Sequence, residues 1–342
     1  MKPLRKIDQK LDWAAIRSLP KADLHCHLDG SLRRETLIEL AKEQKIPLPS
    51  HLPFGDGFGS LEAYLAVFSL PCSVLQTAAA LIRVTYELIE DAYNDGIWHL
   101  EIRFSPLLLA EKGLSYQQQI EAINEGIRQA QKQWPVSTGI ILCGLRHVEP
   151  RLNLEIAQVA AQMKDKGVVA FDLAGPEHGF PLRNHIASFY EAQKKHVHIT
   201  VHAGESEGSQ NIKEALFECG AERIGHGTHL FEDAELMSYM IAHKIPIEAC
   251  LSSNQDTGVV KNLRNHPAKK YLRAGAVLTL NTDNRLVSAT TLSHEYLIAQ
   301  EKMGLSADEL LCVARNGFAA AFLPENQKAE FLDRFDDACR AS

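Results

Sequence analysis

Apolar positions along this chain fall into short continuous runs separated by longer amphipathic stretches. The first run lies within Pro20-Lys21-Ala22-Asp23-Leu24-His25-Cys26-His27-Leu28-Asp29-Gly30 and stops at Asp29-Gly30, a turn-forming pair. Seven more follow at residues 99–105, 138–145, 168–173, 198–202, 223–226, 246–251 and 276–281. Short, mostly unbroken apolar runs are what parallel strands covered on both faces require. Between them, apolar residues recur with helical spacing at 115–133, 153–166, 183–195, 210–219, 234–242 and 268–274. Eight strands alternating with helices predict an α/β protein, specifically a TIM-type (β/α)8 barrel. A doubly wound sheet is the competing topology. No Gly-x-Gly-x-x-Gly turn follows the first strand, so the dinucleotide fingerprint that often goes with it is missing.

Two segments depart from the alternation. Residues 28–95 form a helical excursion between the first and second strands, with helices expected at 34–44, 61–68 and 78–94. Its Gly-, Pro- and Phe-rich loop at 51–60 and the residues Phe54, Phe58, Leu61, Leu65 and Phe68 could form an apolar lid over a site; ordinary packing on the barrel is the other reading. The second segment, 290–342, is expected to be helical and to pack on the barrel. A short helix is expected at 9–19. Residues 1–342 read as a single barrel domain.

Charge and cysteine content narrow the partners. A net charge of −7 disfavours a nucleic-acid groove or an anionic membrane surface. No apolar run is long enough to span a bilayer, and Met1 to Asp8 lack a signal-peptide core. The seven cysteines form no Cys-x-x-Cys pair, which suits a reducing cytoplasm.

In such a barrel, chemistry gathers where strands end. His25 and His27 share one strand face and Cys26 takes the other. The fourth strand leads to Gly175, the fifth ends at His202, the sixth at His226 and the eighth near Asp283. Three imidazoles and a carboxylate suit zinc, so His25, His27, His202 and Asp283 are the candidate ligands, with a water completing the shell. Residues 168–173 offer no lysine or glutamate to bridge a second ion, so one Zn2+ is expected. Zinc would lower the pKa of its water toward neutrality. Glu205, three residues after His202 in a Gly-bearing turn, is the candidate proton donor to a nitrogen leaving group. His226 is the candidate to orient the water and take its proton. Asp172 and Ser252 are candidate partners behind the ligands, and Glu101 and Arg103 could pair inside the barrel.

Six segments together resemble the adenosine deaminase family. They are Leu24-His25-Cys26-His27-Leu28-Asp29-Gly30, Glu101-Ile102-Arg103-Phe104-Ser105-Pro106, Asp172-Leu173-Ala174-Gly175, Val201-His202-Ala203-Gly204-Glu205, Arg223-Ile224-Gly225-His226-Gly227 and Leu280-Asn281-Thr282-Asp283. The resemblance implies zinc-dependent hydrolysis of adenosine and 2′-deoxyadenosine to the inosines and ammonia. It implies zinc ligation by His25, His27, His202 and Asp283, proton transfer to purine N1 by Glu205, and a water oriented by His226. It further implies that the Gly175 N–H meets purine N3 and that Asp29 meets the ribose hydroxyls. One departure stands out: much of the family has aspartate then proline after the zinc aspartate, and here the run is Asp283-Asn284-Arg285. The family's second carboxyl must donate a proton to purine N7, and the Asn284 amide can donate without one. Adenine or a modified aminopurine nucleoside is the alternative substrate. A non-catalytic metal- or nucleoside-binding protein on the same scaffold is the alternative from another class.

Overall fold

The computed structural model describes residues 10–341. The amino-terminal reading of residues 1–8 lies outside these. Eight strands form one parallel sheet in sequence order: β1 (Lys21–His27), β2 (Ile97–Phe104), β3 (Ser137–Leu145), β4 (Val168–Ala174), β5 (His198–Ala203), β6 (Arg223–His226), β7 (Ile247–Ala249) and β8 (Leu278–Leu280). Helices between them cover the outside, giving the TIM-type (β/α)8 architecture expected. The helices at 78–94 and 234–242 have the expected limits.

The barrel closes through the segments that hold His25, His27 and Asp283. The segment just after β8 meets β1 by an isolated parallel bridge between Cys26 and Asp283, in which the His27 N–H donates to the Asp283 carbonyl and the Asp283 N–H to the His25 carbonyl, both at 2.7 Å. Below this bridge, side chains replace the ladder. The Leu24 N–H donates to Asn281 Oδ1 at 2.9 Å, and the Thr282 hydroxyl to Asp23 Oδ2 at 2.6 Å. The helix Ala307–Ala320 packs over this seam against β8 and β1. Gly317 permits that approach, since a Cβ there would lie 3.1 Å from the Ala22 Cβ. At the amino end of the barrel, Phe322 stacks on His198, with the Arg223 guanidinium 3.6 Å from its ring centre.

Beyond shifts of a few residues at element ends, such as the first helix at Trp13–Ser18, the elements differ from expectation in two places. β7 and β8 are three residues each, shorter than the apolar runs suggest, and residue 251 begins a helix (Leu251–Asp256) instead of ending a strand. That helix has no local cap; the N–H groups of Leu251 and Ser252 are taken by Glu295, 44 and 43 residues away. The excursion also holds a further helix, Ser69–Val74, in which Pro71 sits in the first turn, where its missing N–H costs nothing.

The loop before the helix Leu61–Ala66 is pinned over the barrel mouth. The Gly55 N–H donates to the Val287 carbonyl at 2.9 Å, and the Phe58 and Gly59 N–H groups both donate to the Asp256 carbonyl at 2.8 Å. Among the described residues no single helix is long and apolar enough to cross a membrane.

Candidate active site

The end of β1 aims His25 and His27 at the barrel axis. Asp283 Oδ1 lies 3.3 Å from His25 Nε2 and 3.4 Å from His27 Nε2, and His27 Nε2 lies 3.3 Å from His202 Nε2. The donor atoms of His25, His27, His202 and Asp283 all lie within 4.8 Å of one another. Two of the imidazoles are oriented from behind: His25 Nδ1 is 2.9 Å from Glu248 Oε2, and His202 Nδ1 is 2.9 Å from Asp172 Oδ2. A carboxylate at Nδ1 keeps the ring proton there and turns the Nε2 lone pair into the site. His25 Nε2 is buried without a hydrogen-bond partner. Lone pairs and a carboxylate facing one another at this range repel unless a cation lies between them, and three nitrogens plus one oxygen is a donor set that zinc accepts. The residues therefore fit the metal that the sequence motifs imply.

The orienting carboxylates are themselves clamped. Arg103 on β2 donates to Asp172 Oδ2 at 3.0 Å and to Glu248 Oε2 at 2.9 Å, and Arg223 Nε donates to Glu248 Oε1 at 2.6 Å. All four are buried. Burial alone would raise the Asp172 and Glu248 pKa values, but the His202 imidazole and Arg103 outweigh it at Asp172, and Arg103 and Arg223 at Glu248, so both stay well below the usual carboxylate range. Asp283 is likewise held low, burial being overcome by its contacts with His25 and the other imidazoles.

Above this cluster opens a cavity of about 620 Å³, which reaches His27, Asp29, Gly175, Glu205, His226 and Asn284. Its size is ordinary for a small-molecule site. Burial first, then the charges of Asp283 and Glu177, push the Glu205 pKa well up. Glu205 Oε2 lies 3.7 Å from His226 Nε2. Its loop is fixed by Glu177, which accepts the N–H groups of Ser206 and Glu207, both at 2.8 Å. Asp29 is buried, its Oδ1 without a hydrogen bond and 3.9 Å from His27 Nδ1, and burial followed by the Asp283 charge raises its pKa to about 7. Gly175 has φ +97°, a conformation that suits glycine. His226 and Asp283 also take left-handed backbone, at φ +63° and +58°, a strain of about 1–3 kcal/mol each that the surrounding bonds must hold.

Asn284 is shaped by Gly30. A Cβ at Gly30 would sit 2.6 Å from Asn284 Cγ and closer still to its Oδ1. Gly30→Ala is expected to swing the carboxamide out of the cavity and lower kcat/KM on the order of 10²-fold. Steady-state kinetics alongside metal analysis, with bound metal unchanged, checks this.

Several sequence expectations need correction. Glu101 and Arg103 do not pair with each other: Glu101 bonds Arg223 and Arg103 bonds Asp172 and Glu248. Successive inward residues of a strand lie in different layers of the barrel, so each meets other strands. Ser252 bonds Glu295 and Thr290, away from the ligands, whereas Asp172 does orient one. Leu61, Leu65 and Phe68 line the cavity; Phe54 and Phe58 do not, Phe58 packing edge-on against Tyr64. Tyr64 faces the cavity instead, its hydroxyl 3.1 Å from Ser288 Oγ. Glu248 escapes the sequence reading, although a lone charge inside the apolar run Pro246-Ile247-Glu248-Ala249-Cys250 marks a residue that needs a buried partner.

A (β/α)8 barrel with this donor set at the carboxyl ends of its strands is the arrangement of a metal-dependent hydrolase. A model of the adenosine deaminase family matches residues 20–338. The chain belongs to the adenosine deaminase family. It is 39% identical over 329 residues to an adenosine deaminase of Clostridium acetobutylicum, covering 94% of this chain and 98% of that one. It is also 39% identical over 316 residues to a probable adenosine deaminase of Dictyostelium discoideum, covering 90% of this chain but only 41% of that longer protein. Among solved structures, an adenine deaminase from Arthrobacter aurescens superposes with a TM-score of 0.86 at 25% identity, over 93% of this chain and 98% of that one. An apo N6-methyl-AMP deaminase from Arabidopsis thaliana gives 0.86 at 28% identity, over 97% and 100%.

Proposed function

We propose that the protein hydrolyses adenosine and 2′-deoxyadenosine to inosine and 2′-deoxyinosine with release of ammonia, in purine salvage. The observation that carries this is a buried, pKa-raised Glu205 standing beside His226 over the three-imidazole, one-carboxylate cluster, in a chain of this family. Zinc is the cation proposed, one per chain, held by His25, His27, His202 and Asp283. When bound, it lowers the pKa of a water and supplies the nucleophile for purine C6.

The chain's own residues do the rest. Glu205, kept protonated by burial, donates to N1, which makes C6 electrophilic without leaving a buried anion. His226 orients the water. The Gly175 N–H meets N3, Asn284 donates to N7 and Asp29 takes the ribose hydroxyls. The 28–95 segment serves as the lid, with Leu61, Leu65 and Phe68 against the purine. No lysine or arginine lines the cavity among the described residues, while Asp29, Glu62 and Glu111 do, which favours a nucleoside over a 5′-phosphorylated substrate. The seven cysteines are all unpaired, as fits the cytoplasm proposed for the enzyme.

Ultraviolet assays across adenosine, 2′-deoxyadenosine, adenine and AMP, with and without chelator, test this reading. Metal-dependent turnover of the nucleosides is expected; turnover of adenine with none of adenosine would overturn it. 7-Deazaadenosine, which lacks the N7 acceptor, is expected to lose roughly tenfold in kcat/KM, because an unpaired buried donor costs about 1–3 kcal/mol. Equal efficiency for the two would remove Asn284 from the N7 contact.

A further inference from the structure

His226 turns Nε2 toward the site and Nδ1 into the protein. Which nitrogen carries the ring proton is fixed by three hydrogen bonds that begin at a backbone amide. The Ala268 N–H donates to His266 Nδ1 at 3.1 Å. A peptide N–H can only donate, so His266 Nδ1 is a lone pair and its ring proton is on Nε2. That Nε2–H lies 3.2 Å from Asn254 Oδ1 and donates to it. The carboxamide is thereby oriented, and its Nδ2 donates to His226 Nδ1 at 3.1 Å. His226 Nδ1 must then be a lone pair as well. All three side chains are buried, and burial lowers the His266 pKa to about 3, in keeping with a neutral ring.

We propose that Asn254 and His266 are positioning residues that hold His226 as its Nε2–H tautomer, so that His226 acts on the attacking water as a hydrogen-bond donor and not as its base. The identity of the reaction rests on the deaminase reading above; the tautomer does not. A doubly protonated His226 is excluded by the same relay, because Nδ1–H would point at the Asn254 N–H. The proton lost by the water is then left to a carboxylate, either an Asp283 oxygen or Glu205 once it has given its own proton to N1. As the water oxygen bonds to C6, the C6–N1 π pair moves to N1, which takes the proton of Glu205. The tautomer also removes His226 from a second possible cation grouping with His25, Cys250 and Asp283, since a protonated Nε2 has no lone pair to give.

The test is two-bond ¹H–¹⁵N correlation NMR on the metal-loaded protein labelled at histidine, with His226 assigned by the loss of its signals in His226→Gln. The expected result is a neutral His226 protonated at Nε2. A neutral His226 protonated at Nδ1, or a cationic one, overturns the proposal, whatever the substrate proves to be. Asn254→Asp places an acceptor at Nδ1 and is expected to move the ring proton there. Its kcat should fall on the order of 10²–10⁴-fold with KM and bound metal unchanged; a wrong imidazole tautomer costs about 10⁴ in a serine protease. His266→Gln keeps a side-chain N–H for Asn254 Oδ1 and should retain near wild-type kcat. Full kcat in Asn254→Asp with the ring proton moved would also overturn the proposal, and if that variant does not fold, the wild-type spectrum still decides.

Discussion

Glu205→Gln is expected to lower kcat by about 10²–10⁴, the range a positioned general acid supplies, while the protein still folds and still holds its metal. The reason is geometric and electrostatic together. Glutamine keeps the shape and can offer an N–H to purine N1, but it cannot hand over a proton. Glu205 contacts none of the four proposed ligands through a hydrogen bond or ion pair, so metal content should not change, and metal analysis beside steady-state kinetics checks both halves. The wild-type pH profile should carry the same signature. Burial, reinforced by the Asp283 and Glu177 charges, raises the Glu205 pKa, so the competent protonated form persists below that raised value. The rate should fall as pH rises through it. Full kcat in Glu205→Gln, or an unaltered alkaline limb in that variant, would remove Glu205 from the chemistry.

Arg103→Leu is expected to have the largest effect on stability. Arg103 bonds both carboxylates that orient histidines of the proposed metal site, Asp172 for His202 and Glu248 for His25. Removing it strands buried negative charge, a loss of about 3–5 kcal/mol for a broken buried pair. Metal affinity should drop about 10- to 100-fold as the imidazoles lose their fixed orientation. Denaturant unfolding and chelator competition measure the two effects separately. Arg103→Lys should recover only part, because one ammonium does not reproduce two directed guanidinium contacts. The neighbouring Glu101–Arg223 pair predicts an acid limit. The Glu101 pKa is lowered to about 2, burial being outweighed by Arg223 and His99. Its stabilisation is present above its unfolded value of 4.5 and fades as pH falls toward 2.

Much of this site can be read from sequence because its parts lie on strands. His25 and His27 announce a shared face by their spacing, and the apolar runs locate the ends where His202, His226 and Asp283 fall. The relationships that sequence leaves unread are those set by closure in three dimensions. Arg103 meets Asp172 and Glu248 across the barrel, 69 and 145 residues away. Nothing local in Leu251 or Ser252 shows that Glu295 caps their helix. The helical excursion lies between β1 and β2 as its pattern predicts, yet the choice among its aromatic residues depends on the rotation of the helix Leu61–Ala66, which brings Tyr64 to the cavity, and on the pinning of the preceding loop, which keeps Phe54 and Phe58 off its lining. Asn254 and His266 carry no motif; their meaning comes from the order in which protons are shared between them.

The seam between β8 and β1 ties assembly of the catalyst to completion of the fold. The carbonyls of His25 and Asp283 join the first strand to the segment following the last, so a nascent chain that has yet to thread its final strand has an open hoop and an incomplete ligand set. On the ligand set proposed here, a fragment that ends before Asp283 is expected to be inactive.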